Sequence, residues 1–311
     1  TLLEQPNSID VRWLLSEFFL LQRNGADALA QLERAQELGV SGRDFNDRWV
    51  SALLMDRQFD KALARLAFMS PTAEDVSVLI LRGRARLGLG RFDEAREAFD
   101  EALRMQPDNP DAQIGLATTA FALNNVEEAQ RLAEGALAKS PDNYLGWMLK
   151  GEIAMSLQNA AAAQQAFEGA LNIVPGDLPA QLAIVQALLP ALLEARGVVV
   201  GFGSVAAVRG RSRNMVYAAA KRGLQGFFES LRHRHSGQGL RVQFHRLGFV
   251  RSNLTHGMRL PLPAAEPAQV ASQVVANLEK ASFDRHAPRW WALVAFIITH
   301  LPWFVFRRMD T

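Results

Sequence analysis

Proline recurs every 34 residues through the middle of this chain, at Pro107, Pro141 and Pro175. A fixed period of that length restricts the architecture to a stack of like units. Ala95, Ala129 and Ala163 keep the interval, as do Ala102, Ala136 and Ala170, and Leu103, Leu137 and Leu171. The small residues Gly83, Ala117 and Gly151 fall in the same register. Upstream, Ala28 and Ala62 are 34 apart and Ala62 precedes Ala95 by 33, so five units cover about residues 9–177, the first two more degenerate.

Each unit reads as two short amphipathic helices joined by a polar turn such as Leu89-Gly90-Arg91 or Asn124-Asn125. The small residues let the paired helices approach closely. The proline ends the second helix, because it lacks a backbone N–H and its ring clashes with the preceding turn. One such pair cannot bury its apolar face alone, so the units must stack. The pattern resembles the tetratricopeptide repeat (TPR). That resemblance implies a right-handed helical solenoid with a concave groove that takes a protein or peptide ligand. Groove positions include Ser77, Ile80, Arg84, Asp111, Ile114, Thr118, Met148, Glu152 and Met155. Their mixed chemistry does not resemble the basic clamp with which some repeat proteins grip a carboxylate tail, and a surface without a dedicated ligand stays open.

At Leu178 the pattern changes. An apolar helix runs to about Ala195, and Gly197–Gly203 reads as a buried strand, short, β-branched and bounded by glycine. A long helix follows over Asn214–His233, with Leu224, Phe227, Phe228 and Leu231 at helical spacing. Leu240–Phe244 alternates as a second strand. Helix, strand, helix, strand is the order of a parallel α/β sheet.

Ser204 ends the first of these strands, and Tyr217 and Lys221 lie four apart on the long helix, on one face. Strand ends beside helix starts are where open α/β sheets hold ligands. The set is similar to the signature of the short-chain dehydrogenase/reductase (SDR) family. The likeness runs through Leu188-Leu189-Pro190, Gly203-Ser204-Val205-Ala206, Tyr217-Ala218-Ala219-Ala220-Lys221 and Gly248-Phe249-Val250, covering about residues 178–260. It implies a Rossmann-type fold, an NAD or NADP cofactor and a carbonyl or alcohol substrate. In that reading Tyr217 exchanges a proton with the substrate, and Lys221 lowers the phenol's pKa and holds the nicotinamide ribose. Ser204 hydrogen-bonds the substrate oxygen. Gly248, Val250 and Ser252 would lie along the nicotinamide.

The family's glycine-rich phosphate loop has no counterpart here, since helical repeats stand where it is expected. The relay asparagine of the family falls near Asp177, and Leu247 replaces the proline before Gly248. The sequence therefore predicts a mainly α chain: a repeat domain over 1–177, a partial Rossmann-type α/β segment over 178–284, and an apolar tail over 285–311. Three functional readings follow: a binding scaffold carrying an incomplete reductase module, an NAD(P)-dependent oxidoreductase whose cofactor half lies elsewhere, and an assembly module. The third rests on the SDR resemblance, which implies homo-oligomer contacts through the helices Leu178–Ala195 and Asn214–His233. The abrupt junction also reads as a fusion.

Charge separates the two halves. Residues 178–311 carry 17 Lys and Arg against 6 Asp and Glu, whereas residues 1–177 carry 17 against 26. The basic half suits a phosphorylated cofactor or an anionic lipid, and no nucleic-acid motif accompanies it. Trp290–Phe306 is an uncharged, strongly apolar run bracketed by Arg285, Arg289, Arg307 and Arg308. Broken by Pro302 and shorter than the roughly 20 residues of a span, it reads as an interfacial or re-entrant membrane anchor, with a core or oligomer helix and then a true span as the alternatives. His233 and His235, alternating with arginines near a helix end, read as dipole partners rather than ligands, and no metal site is expected. The absence of cysteine suits a reducing compartment. No basic segment precedes an apolar stretch as in a signal peptide. Together these features predict a cytoplasmic protein, peripheral to a membrane through its tail.

Overall fold

The computed structural model describes residues 8–308 apart from residues 22, 70–74, 175–176, 211–214, 253, 254, 256, 258, 259 and 281. Contacts divide the chain into two compact units, Thr1–Leu188 and Leu189–Thr311.

The first unit consists of five helix pairs and part of a further helix. The pairs are α1 (Ile9–Leu21) with α2 (Gly25–Glu37), α3 (Arg43–Met55) with α4 (Phe59–Met69), α5 (Val76–Gly88) with α6 (Phe92–Met105), α7 (Pro110–Ala122) with α8 (Val126–Lys139), and α9 (Tyr144–Ser156) with α10 (Ala160–Ile173). The turn inside every pair is built alike. Arg23, Arg57, Gly90, Asn124 and Gln158, spaced by the repeat period, all take positive φ between 55° and 73°. The N–H of the next residue then bonds back to the carbonyl five positions earlier, as from Asn125 to Ala120. This closes the end of the first helix in the manner of a Schellman turn. Asn24, Asn125 and Asn159, one residue on, cap the second helix by accepting an N–H three residues ahead. Asn109 and Asn143 do the same where one pair passes to the next. Pro107 and Pro141 stand two residues beyond the ends of α6 and α8; Pro175 lies outside the described residues.

The small-residue register has a direct packing cause. A Cβ on Gly83 would sit 2.6 Å from the Phe99 ring, and one on Gly115 would sit 2.2 Å from the same ring. Phe99 is fully buried and held between two glycines of neighbouring pairs. Gly151 meets Phe167 in the same way, at 2.3 Å. In the intervening pair the equivalent positions hold Ala117 and Ala133, both fully buried, so a smaller partner accompanies a larger backbone residue. Bare backbone on one helix thus accompanies a large ring on the facing one, as close packing requires.

Helix α11 (Leu178–Glu194) begins at Asp177, whose Oδ2 accepts the Ala180 N–H at 2.9 Å and the Tyr144 hydroxyl at 2.8 Å. Ala183, Ile184 and Ala187 pack on Ala154 and Phe167, covering the open side of the fifth pair.

The second unit holds a parallel sheet of β1 (Val198–Ser204), β2 (Arg241–Leu247) and β3 (Asp284–Ala287), in the order β1-β2-β3. Helix α12 (Met215–Arg234) packs Phe228 against Gly201 and Phe244. Helix α13 (Pro267–Val275) packs Val270 and Val274 with Val200, Leu247 and Ala287. Buried Gln243 donates from Nε2 to the carbonyls of Asn277 and Lys280, at 2.6 and 2.7 Å, fixing the loop after α13. The start expected for the tail, Arg285, falls inside β3.

The apolar run itself breaks into α14 (Trp291–His300) and α15 (Trp303–Phe306), with Leu301 and Pro302 between them. Trp291 and Ala295 pack with Val205, Val208 and Phe249. Arg209 secures the far end: Nη1 donates to the carbonyls of Ile298 at 3.0 Å and Leu301 at 2.5 Å, and its guanidinium lies 4.0 Å from the Phe306 ring centroid. A cation at the last carbonyls of a helix also meets the negative end of its dipole. Among the described residues no helix is long and apolar enough to cross a membrane.

Two outcomes follow. Gly83→Ala gains about 1 kcal/mol in helix propensity, but the trapped Phe99 ring cannot yield, so a net loss of about 1–2 kcal/mol is expected in urea unfolding. Arg209→Ala removes charge-assisted bonds of about 1.5–3 kcal/mol, and hydrogen exchange at the amides of α14 should accelerate accordingly; unchanged exchange would show that Arg209 does not hold the tail.

Candidate functional site

Ser204 closes β1, and its Oγ accepts the Ala206 N–H at 3.1 Å, so the side chain caps the single turn Val205–Ala207. Arg222, on α12, ties that turn down: Nε donates to the Ala207 carbonyl at 2.7 Å and Nη2 to the Val208 carbonyl at 2.6 Å. The helix carrying Tyr217 and Lys221 is thereby fixed to the turn behind Ser204. Tyr217 stands in the first turn of α12, 41% exposed. The Lys221 Nζ lies 5.9 Å from the Tyr217 ring centroid, one helical turn on. Burial lowers the pKa of the Lys221 ammonium, since a less hydrated site disfavours the charged form.

The segment after β2 is held by β3, by the tail and by its own loop. Gly248 donates its N–H to the Ala287 carbonyl at 3.1 Å, and a Cβ there would lie 1.9 Å from Trp291 Nε1. The indole, from the tail, thus closes the side of Gly248 where a side chain would stand. Trp291 is buried, and its N–H finds no acceptor among the described residues. Val250 bridges to Ala265. Ser252 is exposed, and its N–H donates to Thr255 Oγ1 at 3.1 Å, whose hydroxyl in turn donates to the Val250 carbonyl at 2.7 Å. Trp291 and Thr255 escape sequence reasoning because each meets its partner through a loop rather than a period. Asp177, aligned by sequence with the relay asparagine, is occupied as the cap of α11 and the acceptor for Tyr144.

In the repeat unit, Arg84, Thr118 and Glu152 occupy one equivalent position on α5, α7 and α9. Arg84 Nη2 reaches Asp111 Oδ1 at 2.8 Å, and Asn143 Nδ2 reaches the same oxygen at 3.1 Å, lacing three successive pairs together. Thr118 donates its hydroxyl to the Ile114 carbonyl at 2.7 Å. Met148 is half-buried and packs towards Phe167. Glu152 is open to water, yet its surroundings desolvate the carboxyl and raise its pKa. Arg23, in the first turn, stacks over the Tyr144 ring at 4.3 Å, so the array curls far enough to bring its first turn to α9. Burial and the Asp177 carboxylate together push the Tyr144 hydroxyl pKa up. Ile114, expected on the concave surface, is instead buried between helices, 2% exposed, whereas Ile80 is 7% exposed and borders the cleft described below. The face that a period assigns to the groove includes the seam between pairs, and Ile114 fills it.

A cleft of about 1000 Å³ opens at the starts of α3, α5 and α7, bordered by Arg43, Asn46, Phe68, Ser77, Asn109 and Asp111 among others. Phe68 is 91% exposed at its edge. Arg43 ion-pairs with Asp75 across it. Sequence reasoning missed Asn46, Phe68 and Asn109, which lie near helix ends where periodicity gives no direction. Among the described residues no group of three His, Asp or Glu side chains is placed to hold a metal ion.

Comparison with known proteins divides along the chain. Residues 86–153 match the family model of the tetratricopeptide repeat, and residues 155–261 that of the short chain dehydrogenase, which begins inside the fifth helix pair. An uncharacterized oxidoreductase of Mycobacterium tuberculosis is 37% identical over 140 residues, 44% of this chain and 55% of the relative. Carbonyl reductase family member 4 of Danio rerio is 29% identical over 116 residues, 35% of this chain and 49% of the relative. The chain therefore spans about half the length of the curated relatives it matches. A crystal structure of a TPR protein from Thermus thermophilus superimposes with a TM-score of 0.50 at 18% identity, over 58% of this chain and 100% of that one. This last likeness concerns the fold alone. The chain thus joins a tetratricopeptide repeat region to a segment of the short-chain dehydrogenase family.

Proposed function

We propose that this protein is a binding scaffold: residues 1–177 capture an extended segment of a partner protein, and residues 178–284 carry an incomplete reductase module. The observation that carries this reading is the cleft along the starts of α3, α5 and α7, bordered by Asp111, to which Arg84 is bonded; Thr118 and Glu152 hold the Arg84 position on the next two pairs, with Met148 one turn before Glu152. Backbone-scale polar groups interleaved with Phe68 and Met148 suit an extended peptide, whose amides need partners and whose side chains need apolar contact. Asp111 is already engaged by Arg84 and Asn143, so a ligand gains more from Glu152, whose carboxyl has no hydrogen-bond or ion-pair partner among the described residues and is partly desolvated. A lysine or arginine of the partner complements it.

The reductase set is Ser204, Tyr217 and Lys221, with Lys221, Gly248, Val250 and Ser252 toward the cofactor. NAD or NADP would supply hydride chemistry when bound. The residues present fit only its nicotinamide end: Lys221 can hold a ribose hydroxyl, and the backbone of 248–252 can face the ring's carboxamide. Tyr217 would pass a proton to or from the substrate oxygen, Lys221 would favour the phenolate, and Ser204 would donate to that oxygen. Among the described residues, helix pairs precede β1 where a first strand and glycine-rich turn would cradle the pyrophosphate. Without that anchor the geometry needed for transfer is not fixed. The second reading, an NAD(P)-dependent reductase of a carbonyl or alcohol whose cofactor half comes from another chain, is favoured by the oxidoreductase relatives. Homo-oligomer contact through α11 and α12, a cytoplasmic setting and peripheral membrane attachment through residues 285–311 complete the proposal.

Fluorescence titration with NADH and NADPH separates the two readings. The scaffold expects no saturable quenching by the chain alone, whereas saturable binding together with turnover abolished by Tyr217→Phe establishes the reductase. Selection from a library of extended peptides should enrich basic residues, and Glu152→Gln should weaken the selected peptides about twofold to fivefold, the worth of an exposed charge pair. Because the Glu152 pKa is raised, its negative charge is lost on acidification earlier than for an ordinary carboxylate. Binding of a basic peptide should therefore weaken as pH falls through that raised value. The same shift is a native-state penalty present at neutral pH and relieved on protonation, so Glu152→Gln should raise the thermal midpoint slightly while it weakens binding. Peptide affinity that is flat with pH and unchanged in Glu152→Gln removes Glu152 from the site.

A further inference from the structure

Helix α14 is apolar on both sides. Trp291, Ala295 and Ile298 face the second unit and are buried, at the i, i+4, i+7 spacing of one helical face. The other side presents Leu293, Phe296 and Ile297, and Trp303 and Phe304 on α15 extend it, all of them at least half exposed. Scattered apolar side chains on a surface need no explanation, but a contiguous aromatic and aliphatic face marks a docking surface. The rim of this one is basic. Arg289, Arg307 and Arg308 are exposed and form no ion pair among the described residues, and no acidic residue occurs between Asp284 and Arg308. Trp290 and Trp303, one at each end, have the amphipathic ring favoured at a lipid headgroup.

We infer that this face of α14 and α15 docks on an anionic lipid surface, the arginines engaging headgroups while Leu293, Phe296, Ile297 and Phe304 enter the acyl boundary. The inference rests on the peripheral attachment proposed above and names its lipid class and contact residues. Geometry excludes a span: ten residues of α14 extend about 15 Å, half the hydrocarbon thickness. A second copy of this chain fits the rim poorly. A two-fold interface would bring the basic rims of both copies together. An anionic bilayer instead supplies the counter-charge, and each arginine near it adds to the attraction. The orientation is set from within, because Arg209 holds the end of α14 with its buried face inward.

The test is flotation of the full chain with vesicles of phosphatidylcholine alone or with phosphatidylglycerol added, followed also by tryptophan emission. Binding confined to the anionic vesicles, with a blue shift and a decline as salt rises, is expected. Arg307→Glu with Arg308→Glu should weaken it about tenfold or more. Leu293→Ser, Phe296→Ser and Phe304→Ser together should abolish it, with an unchanged urea midpoint confirming that the fold survives. Equal binding to both vesicle types leaves peripheral attachment standing but overturns the lipid class. No binding to either, with a dimer that the triple serine variant dissociates, assigns the face to a second copy and overturns the inference. Vesicle binding that neither variant changes overturns it as well. Peptide capture by the repeats is measured on the same variants and does not depend on any of these results, so the scaffold reading fails or stands separately.

Discussion

A phenyl ring pressed between two glycines sets the geometry of the repeat unit. Phe99 fills the seam between α5, α6 and α7 only because Gly83 and Gly115 present bare backbone to it. The ring is too enclosed to shift, so the helices approach to a distance that it dictates. Phe167 with Gly151 repeats the arrangement, and the intervening pair places two small residues, Ala117 and Ala133, at those positions. Stacking, and with it the curl that brings Arg23 over Tyr144, is built on that spacing. Helix propensity is secondary here, since glycine is a poor helix former and is retained where the core needs room.

The turns carry the second constraint. Each one combines a left-handed residue, a bond back across the helix end and, in three of the five, an asparagine that caps the next helix. Only Gly90 meets the left-handed requirement without steric cost; Arg57 and Gln158 adopt it against their preference. That the geometry persists with such residues means that stacking, not local sequence, enforces it.

Legibility in the sequence follows the range of the interactions. The five helix pairs, their prolines and their small residues are visible because a period repeats them, and the parallel strands are visible because β1 and β2 are short, apolar and bounded. Strand β3 and helix α13 are not visible: Asp284–Ala287 is polar and only four residues long, and pairs solely because β2 lies beside it. On α12, the adjacency of Tyr217 and Lys221 follows from helical spacing alone. The closure of Gly248 by Trp291 joins residues 43 apart in sequence, and no pattern announces it. The groove is intermediate. Arg84, Thr118 and Glu152 share a register that the period reveals, while the burial of Ile80 and Ile114 depends on how closely neighbouring pairs approach.

Arg209 stands between the two ends of the second unit. It leaves the chain just beyond the turn that Ser204 caps, and it grips the last carbonyls of α14. Arg222 fastens the same turn to α12 from the opposite direction. The turn is therefore a knot in which three ropes meet: the hydroxyl of Ser204, the helix bearing Tyr217, and the tail. A substitution at Arg209 or Arg222 thus removes an anchor of the segment that directly follows Ser204.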